Sequence, residues 1–302
     1  MHATDSASDM RDHLVIFFTR LARRVIDVRE VTPVTGGSIQ ATYAVTLGTG
    51  DRVFVKTGPP DDMERLRAEA RGLNALAETK TVRVPEVLLS GGEGQHYYLV
   101  LEHVDLRPGT EPGFERMGRE LAALHRATAP AFGFERDNFI GATPQANVQA
   151  DDWPEFFRTR RLLPQLQRAA RGACAGQWVD EALRLAESAA RFFPGYTPVP
   201  SLLHGDLWGG NAGFVDGGTP ILYDPAVYYG DRETDIAMTE LFGGFAPGFH
   251  AAYREAWPLD PGYATRRDLY NLYHVINHVN LFGAGHVARA HDLTARLLAL
   301  IK

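Results

Sequence analysis

The stretch "HGDLWGGNAGFVDGGTPILYDP", residues 204–225, contains two short apolar runs separated by a pair of glycines. Gly217 and Gly218 tolerate the positive φ angles of a two-residue hairpin turn, so the runs on either side are predicted to be its strands. With that loop, Asn211 faces Asp224. Facing residues of an antiparallel pair have Cβ atoms about 5 Å apart, so the amide and the carboxylate are predicted to converge at the open end of the hairpin.

Hard oxygen ligands that lie close together suit Mg²⁺, particularly when substrate phosphates complete its coordination shell. Asp206 lies on the loop that enters the same end of the hairpin, close enough to act as a base. Asp and Asn are also common as turn and capping residues, so a structural role is the alternative for each. His204 is expected to hold the loop by a hydrogen bond, Asp235 to start a helix and anchor a loop, and Trp208 either to pack or to offer a platform.

The N-terminal third of the chain predicts a β-rich lobe. Its strands are rich in β-branched residues and are separated by glycine turns, whereas its helices show apolar residues at helical spacing. In chain order we predict a helix at 9–26, strands at about 28–35, 39–47 and 51–57, a helix at 60–79, and strands at about 86–90 and 96–103.

From about residue 106 the pattern becomes mainly helical. The fold class is therefore α+β, with a lobe built on a five-stranded antiparallel sheet at 1–104, a hinge at about 102–106, and a helical lobe at 105–302. Two lobes joined by a short connection form a cleft, where small-molecule sites usually lie. The predicted helices of the second lobe are 113–128, 153–169, 177–192, 232–243, 247–256, 265–282 and 285–301.

Lysine is rare: of 31 Lys and Arg residues only Lys56, Lys80 and Lys302 are lysines. Lys56 ends the strand "RVFVK", where a cation that is held in place can grip phosphates. Glu69, in the following helix, is in reach of a lysine on a packed strand, so we predict a Lys56–Glu69 ion pair, with a solvated Glu69 as the alternative. The turn "TGGSIQAT" before that strand offers backbone N–H groups to phosphates, although glycine pairs are also common in hairpins.

Composition limits the function classes. The net charge of −6 argues against a sequence-independent nucleic-acid binder, which needs a basic face. The single cysteine, Cys174, excludes an intramolecular disulfide and a cysteine-rich metal site. The first residues lack the apolar core of a secretory signal, and no run of about 18 apolar residues occurs. We therefore expect a cytoplasmic protein without a membrane span.

A strand lysine, a helix glutamate, H-x-D-x-x-x-x-N and a later Asp after a hairpin together resemble the protein-kinase-like arrangement. The chain departs from the protein kinases in three motifs. "HGD" replaces His-Arg-Asp, "YDP" replaces Asp-Phe-Gly, and Ala-Pro-Glu is absent. It is similar to small-molecule kinases of the aminoglycoside and choline phosphotransferase type.

The chain most closely resembles the fructosamine kinase (ketosamine-3-kinase) family, over nearly its whole length from about residue 30. The resemblance implies ATP-dependent phosphorylation of O3 on the ketose unit of a ketoamine, which leads to deglycation. The segments that carry it are "GGSIQATY", "VFVK", "AEARGLNAL", "FGFERDNFIGATPQANVQADDWPEFFRTRRL", "LLHGDLWGGN", "YDPAVYYGDRETDIAMTELFGGF" and "YNLYHVINHVNLFGAGH".

The resemblance also implies residue roles. Asp206 would be the catalytic base that accepts the hydroxyl proton, and Asn211 and Asp224 would hold Mg²⁺. Lys56, paired with Glu69, would position the ATP phosphates. Further nucleotide contacts would come from a covering turn and from the backbone beside the adenine, at Gly36, Gly37, Ser38, Glu102, His103 and Val104.

The substrate contacts are less determined by the sequence. An indole two residues after the base can stack on a sugar, and polar or aromatic loop residues suit a sugar site; the candidates are Trp208, Asn138, Gln145 and Trp153. Each could equally be a turn, capping or core residue. His274 and His278 have metal-ligand spacing, but no third ligand is evident, so ordinary hydrogen bonds in a packed helix are favoured.

Two other functions stay open at this point. One is a related phosphotransferase that acts on an aminoglycoside, choline or a free sugar, and the other is a non-catalytic pseudokinase. The expected partner is a small ketoamine or a glycated protein, with no nucleic acid and no membrane, and we expect a monomer. Which ketoamine is preferred does not follow from the sequence.

Overall fold

The computed structural model describes residues 7–23, 25–34 and 40–301. Its N-terminal part is a five-stranded antiparallel sheet with the spatial order β1-β2-β3-β5-β4, which confirms the predicted sheet. β3 therefore lies at the centre and pairs with β2 on one side and β5 on the other. The strands are β1 (Val28–Pro33), β2 (Ala41–Leu47), β3 (Arg52–Gly58), β4 (Val87–Glu93) and β5 (His96–Glu102).

Both faces of this sheet are covered. Helix α1 (Ala7–Ala22) packs on one face, where the rings of Phe17 and Tyr98 lie 4.6 Å apart between centroids. Helix α2 (Met63–Glu78) and the C-terminal part cover the other face, where Leu99 is buried. Alternate residues of a strand point to opposite faces, so the run "HYYLVLE" of β5 is apolar on both sides.

The C-terminal part is mainly helical, as predicted. The helix expected at 153–169 is divided by a π-helical turn at Arg158–Leu162, and the helix expected at 177–192 ends at residue 187 and continues as a 3-10 turn. The α-helices are α3 (Glu111–Leu124), α4 (Trp153–Phe157), α5 (Leu163–Arg171), α6 (Gln177–Glu187), α7 (Glu233–Leu241), α8 (Pro247–Ala256), α9 (Tyr263–Phe282) and α10 (Val287–Leu300).

Three pairs of short strands lie among these helices, and only one pair was predicted. The predicted pair is β9 (Ala212–Val215) with β10 (Thr219–Leu222). The others are β6 (Asn138–Ile140) with β7 (Thr143–Gln145), and β8 (Ser201–Leu203) with β11 (Tyr228–Gly230). β8 leads directly into the loop at His204, and β11 follows the segment at Asp224, so their pairing brings these two segments together.

The predicted register of the β9–β10 hairpin is wrong by one residue. Val215 pairs with Thr219, so the loop has three residues, not two. Asp216 joins the turn with a positive φ of 22°. Asn211 consequently faces Tyr223, whose N–H donates to the Asn211 carbonyl at 3.0 Å.

One apolar core joins the sheet to the helical part. It contains Leu73 of α2 and Leu99 of β5 together with Tyr228 and Tyr270 of the C-terminal part. The chain passes from β5 to α3 through residues 103–110, and the Arg107 N–H donates to the Phe214 carbonyl at 2.8 Å on the way. None of the helices in the described part of the chain is long and apolar enough to cross a membrane.

Candidate active site

A cavity of about 690 Å³ lies between the sheet and the helical part. Apolar residues line its end at the sheet, polar and charged residues line its middle, and α9 closes the other end. Representative lining residues, from the sheet to α9, are Thr42, Phe54, Leu101, Val104, Lys56, Glu69, Asp206, Asn211, Asp224, Trp208, His278 and Phe282.

Lys56 is held between two carboxylates inside this cavity. Its Nζ lies 2.7 Å from Oε1 of Glu69 and 2.5 Å from Oδ1 of Asp224, and its side chain is only 8% exposed. Burial disfavours the ammonium, but the two carboxylates outweigh it and raise the pKa of Lys56. The predicted Lys56–Glu69 ion pair is confirmed. It forms because central strand β3 carries Lys56 towards α2.

Asp206 follows β8 and faces the same cavity. The Nδ2 group of Asn211 donates to its Oδ2 at 3.0 Å and to its backbone carbonyl at 2.8 Å. Removal from bulk water raises the pKa of Asp206 to about 7, although the bond from Asn211 acts in the opposite direction. A carboxyl group with that pKa can exchange a proton with a substrate hydroxyl near neutral pH.

Asp235 of α7 holds the loop that carries this carboxylate. It accepts hydrogen bonds from the backbone N–H groups of His204, at 2.7 Å, and Gly205, at 2.9 Å. Nε2 of the buried His125 donates to it at 3.2 Å. Burial alone would raise the pKa of Asp235, but these donors, His125 first, lower it. Asp235 therefore anchors the loop, as the sequence predicted.

The imidazole of His204 supports the loop from inside. Its Nε2 donates to the Tyr223 carbonyl at 3.0 Å, which leaves Nδ1 to accept from the Asp206 N–H at 3.3 Å. Burial lowers the pKa of His204, so the ring is neutral. The next residue must be a glycine, because Gly205 has a φ of 84° and a Cβ there would lie 2.0 Å from the Ala226 carbonyl oxygen.

Asn211 and Asp224 offer oxygen ligands on the same side of the cavity. The Nδ2 of Asn211 is used in bonds to Asp206, so its Oδ1 can bind a cation; Asp224 has one oxygen on Lys56 and a second one free to do so. Both are the hard donors that Mg²⁺ prefers. In the described ranges no cluster of three or more His, Cys, Asp or Glu side chains could hold a metal alone. Substrate phosphates and water would have to complete the shell.

The structure separates the four candidate substrate residues. Trp208 lines the cavity, 39% exposed, and packs edge-on against Phe242. Asn138 also lines it, but its amide is bonded to protein groups, and Gln145 lies behind it. Trp153 is only 1% exposed, and its Nε1 donates to the hydroxyl of Tyr270 at 3.0 Å. The substrate contact predicted for Trp153 is therefore wrong, because its indole fills the core.

The predicted nucleotide contacts are only partly visible. Glu102 and Val104 line the cavity, and Glu102 also pairs with Arg83 at 2.6 Å. Nε2 of His103 instead lies 2.9 Å from a guanidinium nitrogen of Arg52. The predicted covering turn at 36–38 lies outside the described residues.

Several residues that line the cavity were not predicted to act there, among them two of α9 and one of α2. His278 and Phe282 lie on α9, and Arg65 lies one helical turn before Glu69 on α2. The four-residue spacing of Arg65 and Glu69 places both on one helix face and could have pointed to Arg65. Nothing local distinguishes the inward-facing residues of α9, since this helix is buried on most sides.

No third metal ligand joins His274 and His278 in the described part of the chain. Nδ1 of His278 donates to the His274 carbonyl at 2.8 Å, and neither ring nitrogen of His274 has a hydrogen-bond partner among the described residues. Burial lowers the pKa of His274 to about 3, so that ring is neutral. The packed-helix alternative is therefore supported for His278, while His274 makes no hydrogen bond through its ring.

Comparison with known proteins adds independent information. The sequence profile of the fructosamine kinase family matches residues 11–300. A protein from Synechocystis sp. named probable ketoamine kinase is 43% identical over 274 residues, which cover 90% of this chain and 92% of that protein. The chloroplastic protein-ribulosamine 3-kinase of Arabidopsis thaliana is 37% identical over 291 residues, which cover 92% of this chain and 86% of that protein.

Solved structures support the same assignment. The crystal structure of a candidate fructosamine-3-kinase from Haemophilus somnus has a TM-score of 0.87 at 27% identity, covering 95% of this chain and 97% of that one. An aminoglycoside phosphotransferase solved with ADP and hygromycin B has a TM-score of 0.63 at 15% identity, covering 95% and 98%, and shows the fold alone. The fold is thus protein-kinase-like, as predicted. The profile spans nearly the whole chain and both relatives exceed 30% identity, so this kinase belongs to the fructosamine kinase family.

Proposed function

We propose that the protein transfers the γ-phosphoryl group of ATP to the O3 hydroxyl of a ketoamine's ketose unit, using Mg²⁺. The observation that carries this proposal is the convergence of Lys56, Asp206, Asn211 and Asp224 in one cavity. The names of the relatives, which refer to ketoamine and ribulosamine substrates, indicate the class of acceptor. The phosphorylated adduct is expected to break down, so that the amine is deglycated.

Asp206 accepts the proton of the attacking hydroxyl. The hydroxyl oxygen forms a bond to the γ-phosphorus while the bond from that phosphorus to ADP breaks, and the proton moves to the carboxylate. Asp206 suits this role because its pKa of about 7 matches a base that works near neutral pH. The Nδ2 bond from Asn211 holds the carboxylate in a fixed orientation.

Charge neutralisation is the second requirement of phosphoryl transfer. The ammonium of Lys56 stays charged because two carboxylates surround it, and it would contact the phosphates of a bound nucleotide. Oδ1 of Asn211 and the carboxylate of Asp224 would hold Mg²⁺, which neutralises phosphate charge when it is bound. The backbone near Glu102 and Val104 lines the end of the cavity that would receive the adenine.

The sugar is expected at the opposite end, where Trp208 presents an indole to the cavity. The rings of Trp208 and Phe242 pack in a T-shaped arrangement with centroids 6.3 Å apart. An aromatic face combined with nearby polar groups is the usual composition of a small-molecule site. A cytoplasmic location and a monomeric state stay predictions from the sequence.

A substrate panel tests the proposal. ATP consumption would be measured with fructosamine-, ribulosamine- and erythrulosamine-type ketoamines, and in parallel with an aminoglycoside, choline and free sugars. We expect turnover with ketoamines, a product phosphorylated at O3 by NMR, and kcat/KM values that rank the ketoamines. Turnover of an aminoglycoside or choline without turnover of any ketoamine would overturn the proposal.

A further inference from the structure

Two buried side-chain amides bind the backbone just beyond Asp224. Nδ2 of Asn138 donates to the Val227 carbonyl at 2.7 Å, and Nε2 of Gln145 donates to the Ala226 carbonyl at 3.1 Å. The two amides face each other across the β6–β7 hairpin and are 6% and 3% exposed. They connect a short hairpin to a segment that is more than 80 residues away in sequence.

Other buried groups determine which way these amides point. Nε2 of Gln145 and Nδ2 of Asn147 both donate to Oδ1 of Asn138, at 2.8 and 2.9 Å. The hydroxyl of Tyr273 donates to Oε1 of Gln145 at 2.7 Å, and a guanidinium nitrogen of Arg161 donates to Oδ1 of Asn147 at 2.7 Å. The two N–H groups on Nε2 of Gln145 and its side-chain oxygen Oε1 are therefore all bonded within the protein.

The segment that these amides hold has an unfavourable backbone geometry. Asp224 has a φ of 57°, in the left-handed region that non-glycine residues rarely adopt. Such a conformation persists only where surrounding contacts impose it. The Ala226 N–H also donates to the His204 carbonyl at 2.8 Å, and the Ala226 carbonyl lies close to Gly205. The segment therefore depends on contacts from both sides.

We propose that Asn138 and Gln145 are positioning residues that keep the carboxylate of Asp224 in place for the Mg²⁺-bound nucleotide. They act through the carbonyls of Ala226 and Val227 rather than by touching the sugar. This positioning role replaces the substrate contacts that the sequence predicted for Asn138 and Gln145. The inference rests on the proposed function, because it takes Asp224 to be a ligand of the Mg²⁺ that is bound with the nucleotide.

The test compares Gln145→Met and Asn138→Leu, which keep side-chain volume but remove the donors. Binding of a non-hydrolysable ATP analogue would be measured by calorimetry over a range of Mg²⁺ concentrations. We expect Mg²⁺-dependent affinity to fall about 10-fold, as is typical when the support of a metal ligand is removed. The KM for the ketoamine should stay unchanged while kcat falls.

Two further variants keep the test decisive. Tyr273→Phe removes only the hydroxyl that orients Gln145, so it should fold and lower the Mg²⁺-dependent affinity in the same direction, by about threefold. Asn271→Leu is the matched control, since Asn271 is a buried amide of α9 that makes none of these hydrogen bonds. It should leave Mg²⁺-dependent binding unchanged even if the melting temperature falls.

An unchanged Mg²⁺ dependence in folded Gln145→Met and Tyr273→Phe would overturn the inference. A raised ketoamine KM with normal nucleotide binding, or an equal loss in Asn271→Leu, would do so as well. Failure of the proposed function is a separate result: the unmodified protein would then turn over no ketoamine. The binding measurement would still report on the Asp224 segment.

Discussion

Lys56 and Asp206 line the same cavity, yet their surroundings act on them differently. Lys56 has two carboxylates within 2.7 Å, which favour its charged form despite burial. Asp206 receives one amide hydrogen bond and lies near Asp224, so burial prevails and its pKa rises. Removing one partner of a buried ion pair leaves an uncompensated charge. Lys56 and Glu69 therefore depend strongly on each other.

Asp206→Asn should lower kcat by about 10²- to 10⁴-fold, the usual contribution of a general base. The amide has nearly the same shape but cannot take the hydroxyl proton, so nucleotide affinity should stay within about twofold. Steady-state turnover and calorimetric nucleotide binding check both parts. Asp216→Asn, in the exposed hairpin loop, is the control and should keep full activity. Unchanged phosphorylation by Asp206→Asn would show that another group is the base.

His274 should make stability depend on pH. It is 1% exposed, and burial, assisted by the nearby His278 and Arg161 and opposed only by Asp235, lowers its pKa to about 3. Between that value and an unfolded pKa of about 6.5, the unfolded chain binds more protons. The free energy of unfolding therefore falls as the pH falls below about 6.5, with a contribution from His274 of about 1.4 kcal/mol per pH unit.

Urea unfolding of His274→Phe at a series of pH values tests this. Replacement by an apolar ring should reduce the slope of unfolding free energy against pH by about 1.4 kcal/mol per pH unit. This reduction applies between the folded and the unfolded pKa of His274. His291→Phe, at an exposed position of α10, should leave the slope unchanged. Equal slopes for the unmodified protein and His274→Phe would mean that His274 can be protonated in the folded state.

At the scale of elements, long strands and helices were predictable but short ones were not. β3 and β5 follow apolar patterns long enough to be recognised, whereas β8 and β11 have only three residues each. Three residues carry too little periodicity to identify a strand. The pair forms because two distant segments meet, and this meeting sets the position of the Asp206 loop.

The hairpin register shows a second limit of local patterns. A glycine pair is typical of a two-residue turn, but Asp216 also takes a positive φ and lengthens the loop. The prediction that Asn211 and Asp224 lie together nevertheless succeeds in part. Nδ2 of Asn211 lies 3.5 Å from the Asp224 carbonyl, although the two residues do not face each other in the ladder.

The contact between α3 and α8 should tolerate no side chain at Gly118. A Cβ at that position would lie 2.3 Å from the Phe249 carbonyl oxygen, which belongs to the backbone of α8 and cannot rotate away. Gly118→Ala should therefore lower the free energy of unfolding by about 1–3 kcal/mol, despite the better helix propensity of alanine.

Denaturant unfolding would measure this change, with Gly285→Ala as the control. No atom of the described residues lies within 4 Å of a Cβ added at Gly285, so its substitution should be nearly neutral. If Gly118→Ala were as stable as the unmodified protein, the two helices would have to separate at little cost.

At the scale of the whole molecule, the cavity combines groups from both parts of the chain. Lys56 and Glu69 come from the sheet and α2, whereas Asp206 and Asp224 come from the C-terminal part. The ion pair between Lys56 and Asp224 crosses the boundary directly. A ligand that contacts both sides should thus stabilise the molecule as a unit.

Binding of a non-hydrolysable ATP analogue with Mg²⁺ should raise the melting temperature. A ligand at about 100 times its Kd adds about 2.7 kcal/mol to the free energy of unfolding. Chelation of Mg²⁺ or the change Asp224→Ala should remove most of this shift, whereas Asp216→Asn should preserve it. Thermal unfolding with and without chelator provides the measurement. A shift of equal size in chelator would mean that the metal is not bound with the nucleotide.

The sequence by itself determined the order of the long elements and the loop that carries Asp206. These follow from residue type and local periodicity, which are properties of neighbours along the chain. The Lys56–Glu69 pair was predicted with an alternative, and the packing of β3 against α2 decided it. Only the tertiary structure decided that Trp153 fills the core and that Asn138 and Gln145 are bonded to the segment after Asp224. The physical reason is that burial and hydrogen-bond partners depend on groups far apart in sequence: the bond from Asn138 to Val227 spans 89 residues.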